Sequence, residues 1–148
     1  MEKLYNTPMD HPDCIFCQIA AGQGLASIVY ADEGVVAFLD INQPVPYKVL
    51  VIPRAHVETI YELSDEQAAA VMQSAARIAR AIRAASGCDG LMLTQSNGAA
   101  AGQDVFHFHL HLWPRFWNDP LRIRVPRNLP PRAELDRMAA EIRESLFE

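Results

Sequence analysis

The sequence predicts an antiparallel α+β fold, and three observations carry that reading. Short runs rich in Val, Ile, Tyr and Phe are clustered, not each followed by its own helix. Only a few turn-forming residues separate neighbouring runs. One long amphipathic stretch divides the runs into a group of three and a group of two. The order is helix, three strands, helix, two strands, helix, which favours an antiparallel sheet over alternating βαβ units. The 148 residues suit one domain spanning 1–148, with a core over about 13–115 and a C-terminal extension over 116–148 that carries a helix.

Taken in order, Cys14 to Ala21 reads as a short helix, stopped by Gly22 and Gly24. Ser27 to Tyr30, Val35 to Leu39 and Lys48 to Ile52 have the length and composition of strands. Asp32-Glu33-Gly34 is a hairpin turn between the first two. Asn42-Gln43-Pro44-Val45-Pro46 breaks regular structure before the third. Ser64 stands three residues before Gln67, the spacing of a capping box, and Asp65 and Glu66 place negative charge at a helix N-terminus. Val71, Ala75, Ile78 and Ile82 form the apolar stripe of that helix, and Gly87 suits the position just past its end. Gly90 to Gln95 reads as a strand, Asn97 to Gly102 as a loop of small residues, and Asp104 to Trp113 as a longer strand. Residues 114–131 hold five prolines and no clear period. Pro130 and Pro131 open a final helix with the stripe Leu135, Met138, Ile142 and Leu146.

Composition narrows the function. Thirteen basic residues against eighteen acidic ones give a net charge of -5, so no basic field for a nucleic-acid backbone is expected. No apolar run approaches the ~18 residues that span a bilayer. The first thirteen residues lack the basic start and apolar stretch of a secretory signal, which leads us to expect a cytoplasmic protein. Three cysteines make a disulfide framework improbable.

The most informative stretch is Val105-Phe106-His107-Phe108-His109-Leu110-His111-Leu112-Trp113, which holds three of the five histidines. Alternation is strict from Phe106 to Leu112. On a strand, side chains two apart share a face, roughly 6.6 Å from one another. His107, His109 and His111 therefore share one face, and Phe106, Phe108, Leu110 and Leu112 the other. The apolar face is accounted for as core. Imidazole serves as nucleophile, acid, base or metal ligand near neutral pH, and spacing alone does not choose among these roles. Cys14 and Cys17 form a C-x-x-C pair, open to a redox, a packing or a metal reading. A thioredoxin-like role expects a nearby βαβ pattern, which is missing, and a tetrahedral zinc site needs two more N or S ligands, for which His56 and His107 are candidates.

The run from Gly102 to Trp113 closely resembles the motif of the histidine triad (HIT) family, three histidines alternating with apolar residues. The resemblance extends over about Asp13 to Arg115. It includes Cys14-Ile15-Phe16-Cys17, Val36 to Asn42, Val49 to His56, and Asn97 before the small-residue loop. It implies the HIT fold, an antiparallel five-stranded sheet with two main helices plus, here, a C-terminal helix. It also implies a homodimer and a purine nucleotide substrate (a derivative of AMP), with no nucleic-acid or membrane partner and no organic cofactor. The reaction implied is hydrolysis or transfer at the α-phosphate, with release of a nucleoside monophosphate. His109 would be the nucleophile and His111 the group that holds or protonates the phosphate and leaving group. Gly102, Gln103, Asp104 and Val105 would line the phosphate, through backbone N–H groups and the Gln103 amide. Asn97 would help fix the phosphate or the leaving side, and Asp40 would hold the ribose hydroxyls. In zinc-bearing relatives the ligands match Cys14, Cys17, His56 and His107, a closed set with a structural role.

Two features depart from the family pattern. Asp104 stands where many members carry Ser or Thr, and an ionised carboxylate cannot donate to a phosphate oxygen. Either it turns away, or it favours a cationic leaving group. Pro114-Arg115 resembles the Fhit-like branch, which cleaves dinucleoside polyphosphates, whereas the C-x-x-C start resembles the Hint-like branch, which cleaves nucleoside phosphoramidates. Arg115 is equally readable as a phosphate contact and as a surface residue. His11 is expected to be solvated and Cys88 to be a packed or partly exposed thiol. Two other classes of function are weighed beside the enzyme: a nucleotide-binding scaffold without useful turnover, and a metallohydrolase with the triad as ligands. The last leaves Cys14, Cys17 and His56 without a role.

Overall fold

The computed structural model describes residues 11–146. Five strands form one antiparallel sheet in the order β1-β2-β3-β5-β4. They are β1 (Ile28–Ala31), β2 (Val35–Leu39), β3 (Val49–Pro53), β4 (Gly90–Thr94) and β5 (Leu110–Arg115). Helix α1 (Ile15–Ala20) precedes the sheet, α2 (Asp65–Ser86) links β3 to β4, and α3 (Arg132–Ser145) follows β5. Among the described residues no helix is long and apolar enough to cross a membrane.

The period-2 rule sorts the core onto two faces. Val35, Ala37, Val49, Val51, Leu110 and Leu112 join Val71, Ala75, Ile78 and Ile82 of α2 in one buried cluster. The intervening Val36, Phe38, Leu50 and Ile52 join Phe16, Ile19 and Ala20 of α1 in a second cluster on the opposite face. The apolar stripe expected of α2 is therefore its buried face. Its N-terminus carries both bonds of the capping box between Ser64 and Gln67, and Gly87 ends it at φ 65°, a left-handed angle that glycine adopts without a Cβ clash.

The histidine segment departs from expectation. Regular strand starts at Leu110, not Asp104, so only His111 of the triad lies within the ladder. The register pairs Val51 with Leu110, and its continuation would set Phe108 against Pro53. Proline has no N–H to donate, so the ladder stops there. The Phe108 N–H bonds instead to the Val57 carbonyl at 2.6 Å. Phe106 is correspondingly 46% exposed and lies outside the core, whereas Phe108, Leu110 and Leu112 are buried.

After β5 the chain is pinned by one ion pair. Arg115 donates from Nε and Nη2 to the two carboxylate oxygens of buried Asp119, at 2.7 and 3.0 Å. Asp119 also accepts the backbone N–H groups of Phe116 and Leu121. The Arg115 guanidinium and these N–H groups hold the Asp119 carboxyl well below the usual carboxylate range. Arg115, readable as a phosphate contact or a surface residue, is instead committed to Asp119 and the Leu121 carbonyl. Asp119→Ala strips the partners from all these donors. We expect it to lower the melting temperature and to make residues 116–131 more sensitive to trypsin, with the secondary structure by circular dichroism little changed.

Candidate active site and metal centre

The triad lies on the face of the sheet that α1 covers. His107 and His109 are 0% and 5% exposed, and both rings meet the edge of Phe16, with centroids 6.0 and 5.2 Å away. Hydrogen-bond partners fix the tautomers, because a carbonyl oxygen only accepts. His107 Nε2 lies 2.8 Å from the Pro53 carbonyl, so it carries the hydrogen and leaves Nδ1 as a lone pair. That Nδ1 faces Cys14 Sγ and Cys17 Sγ, each at 3.5 Å. His109 is the reverse case. Its Nδ1 donates to the His107 carbonyl at 2.7 Å, and the lone pair is therefore on Nε2.

Cys14, Cys17, His56 and His107 converge, with one ligand atom from each lying within 4.8 Å of all the others. His56 Nδ1 is 3.2 Å from Cys17 Sγ. Four ligands at ~2.0–2.3 Å around a tetrahedral zinc would stand about 3.3–3.8 Å apart; the donor set suits that ion, the 3.2, 3.5 and 3.5 Å separations are close to this spacing, and the widest, 4.8 Å, would have to close around it. Cys14 caps α1 by accepting the Cys17 N–H on its sulfur. His56 Nε2 lies 3.9 Å from Glu58, the type of outer carboxylate that orients a metal-bound imidazole. His11 is exposed as expected, yet its ring stacks on His56 at 3.8 Å. Cys88 is a buried thiol.

His111 extends the site along β5. Its ring lies 4.8 Å from that of His109 and stacks on Trp113 at 5.7 Å, while its buried Nδ1 has no hydrogen-bond partner among the described residues. Burial and then the neighbouring His109 and Lys48 lower its pKa from 6.5 to about 4. At neutral pH it is an uncharged imidazole. The unfolded chain binds this proton near the ordinary value and the folded chain only near 4, so the contribution of His111 to stability is full above about 6.5 and falls as the pH drops toward 4. His111→Asn removes this titration. Urea midpoints measured at pH 7 and pH 5 are therefore expected to differ less in the variant than in the wild type.

The loop before the triad is held by side chains. Buried Gln103 accepts the Gly98 N–H and donates to the carbonyls of Glu58 and Val105. Both amide hydrogens are engaged, so Gln103 acts as a brace. The N–H groups of Gly102, Gln103 and Val105 are engaged as well, with the Ala99 and Gly98 carbonyls and the Asp104 carboxylate, so an anion here would meet the Asp104 N–H or displace one of those bonds. Gly102 sits at φ 86°, which a side chain would oppose. Asp104 is exposed, accepts the Val105 N–H at 2.9 Å, and holds Oδ1 3.9 Å from His109 Nε2. It faces the lone pair rather than turning away. The Asn97 amide is bonded to Gln95 and to the Ile60 N–H, which ties it to the turn after His56. Asp40 accepts the Asn42 N–H and pairs with Lys48. Lys48 is 3% exposed, with Nζ 3.7 Å from the centre of the Trp113 ring. The sequence reading missed it. A lysine opening a strand reads as exposed, and only the fold shows that the position faces inward.

The chain is similar to known proteins. The model of the HIT domain matches residues 22–118. Protein hit of Bacillus subtilis is 47% identical over 104 residues, covering 70% of this chain and 72% of its own length. The adenylylsulfatase HINT3 of Arabidopsis thaliana is 38% identical, covering 74% of this chain and 55% of its own. Among solved structures, a zinc-bound histidine triad family protein from Mycobacterium smegmatis aligns with TM-score 0.71 and 35% identity, covering 92% of this chain and 98% of its own.

Proposed function

The chain belongs to the histidine triad family, and from that membership and the geometry of His109 we propose a nucleotidyl hydrolase or transferase that works through a covalent nucleotidyl-histidine. The observation that carries the reading is the tautomer of His109. With Nδ1–H committed to the His107 carbonyl, Nε2 presents a fixed lone pair, 3.9 Å from Asp104. A neutral imidazole attacks without prior deprotonation. Nε2 bonds to the α-phosphorus as the bond from phosphorus to the leaving group breaks. The positive charge then on the ring is stabilised by the same Nδ1–H bond to a carbonyl.

His111 is poised to manage the proton. It is neutral in the free protein, and a phosphate anion brought against it raises its affinity for a proton. The imidazolium so formed passes that proton to the departing nitrogen or oxygen, and the neutral ring then accepts one from the water that attacks phosphorus. The P–Nε2 bond breaks and the nucleoside monophosphate leaves. Asp40 would accept hydrogen bonds from the vicinal ribose hydroxyls, and backbone N–H groups of residues 102–105, that of Asp104 first among them, would donate to the phosphate oxygens. Asn97 would help fix the phosphate or the leaving side.

The Asp104 carboxylate favours one substrate class over the other. It faces the nucleophile at 3.9 Å, on the side an attacked phosphate would occupy. It repels the anionic leaving group of a dinucleoside polyphosphate and accepts a hydrogen bond from the amine of a phosphoramidate. We therefore assign nucleoside phosphoramidates as the preferred substrates, with a purine base and a homodimer as the family implies. Cys14, Cys17, His56 and His107 would hold a zinc ion with all four positions filled by protein. Such an ion supplies rigidity, tying the α1 segment to the chain that carries His109.

The test is release of AMP from adenosine 5′-phosphoramidate and from a diadenosine polyphosphate. The expected result is cleavage of both, or of the phosphoramidate alone, with the higher kcat/KM for the phosphoramidate. Binding of AMP with cleavage of neither would make the protein a nucleotide-binding module instead.

A further inference from the structure

A buried lysine destabilises a fold unless its charge is met. Lys48 meets its partners in a fixed place. Its ammonium bonds to Asp40 Oδ2 on one side and lies 3.7 Å from the Trp113 ring centre on the other. Its backbone closes the loop that carries Asp40: the Lys48 N–H bonds to the Gln43 side chain, and its carbonyl accepts the Asp40 N–H and a Gln43 amide hydrogen. Tyr47, just before it, is at φ 69°, a strained angle for a bulky aromatic residue. The strain sits at the turn that sends Lys48 inward.

The Trp113 ring is itself held. Its Nε1 donates to Thr94 Oγ1 at 2.8 Å, and its other neighbour is the His111 imidazole, stacked at 19° between planes. Carboxylate, ammonium, indole and imidazole thus form one continuous chain of contacts. We propose that Lys48 is a positioning residue that couples ribose recognition at Asp40 to phosphoryl transfer at His111 through the Trp113 ring. The proposal rests on the reading of Asp40 and His111 given above.

The physical grounds are these. With Oδ2 on the ammonium and Oδ1 on the Asn42 N–H, the carboxylate plane is fixed, and each oxygen keeps a second lone pair for one ribose hydroxyl. His111 Nδ1 has no hydrogen-bond partner among the described residues, and the ring is packed between the stacked indole and the His109 imidazole. The charged and titratable groups facing His111 are His109, Lys48, Asp40 and Asp104. Removal of the ammonium leaves the Asp40 carboxylate uncompensated and makes the imidazole easier to protonate.

The test compares wild type with Lys48→Met, Lys48→Arg and Trp113→Leu. It measures binding of AMP and 2′-deoxy-AMP by calorimetry and pH profiles for the phosphoramidates of both nucleosides. Lys48→Met is expected to cut the preference for ribose over deoxyribose about tenfold and to move the basic limb of kcat/KM, on which His111 loses the proton it donates, to higher pH. Lys48→Arg should restore much of both. Trp113→Leu keeps the ion pair, so it should retain ribose preference and lose kcat. An unchanged ribose preference and basic limb in Lys48→Met would overturn the proposal. Should that variant not fold, unchanged kcat and pH profile in Trp113→Leu overturn it. If wild type cleaves nothing, the enzymatic reading fails, and the AMP to deoxy-AMP binding ratios of wild type and Lys48→Met still decide the role of Lys48. No binding of either nucleotide overturns both readings.

Discussion

Replacing His109 with alanine is expected to abolish turnover and leave the fold in place. The loss in kcat should be about 10⁴-fold or more, as when the nucleophile of a covalent mechanism is removed. The ring is 5% exposed and touches Phe16 and His111, so some packing is lost too. The control is therefore the retained ability to bind AMP with a cooperative thermal transition. His109→Asn, a closer match in volume, should be equally inactive. Residual activity within tenfold of wild type would remove His109 from the nucleophile's role.

Replacing Cys17 with serine is expected to cost both metal and stability. The wild type should carry one zinc per chain and the variant none, measured by elemental analysis after dialysis, while Cys88→Ser retains it. Cys17 and His107 are buried, and loss of the ion leaves polar groups in the core without their shared partner. The cost is on the order of 3 kcal/mol or more, a fall of roughly 10 °C in melting temperature. Activity should fall with it, because the His107 carbonyl that orients His109 and the Phe16 ring that buttresses it both belong to the metal-held segment. A zinc-free variant with wild-type melting temperature and kcat would mean that the cluster does not support the site.

Much of the fold was legible because it follows local periodicity. The α2 stripe, the Ser64–Gln67 cap and the Gly87 stop are short-range patterns, and the structure reproduces each. The strands β1 to β4 stand within about a residue of their expected bounds. The chain from Asp104 to His109 misled, because alternation describes side-chain direction and says nothing of ladder partners. Proline at position 53 is the long-range fact that ends the ladder. The convergence of Cys14, Cys17, His56 and His107 was foreshadowed by family resemblance and ligand chemistry, since these residues are as much as 93 positions apart. Lys48 and the role of Asp119 were not legible. Each depends on which distant side chain meets a charge in the folded molecule, and neither lies in a periodic pattern.

The central claim is the bond from His109 Nε2 to phosphorus, and the most direct measurement is mass spectrometry of protein quenched within a single turnover of adenosine 5′-phosphoramidate. The account predicts a transient adenylyl adduct on the peptide that contains His109, formed and lost at rates consistent with AMP release, and absent from His109→Ala. AMP release with no adduct at any time, or an adduct on a different residue, would contradict it.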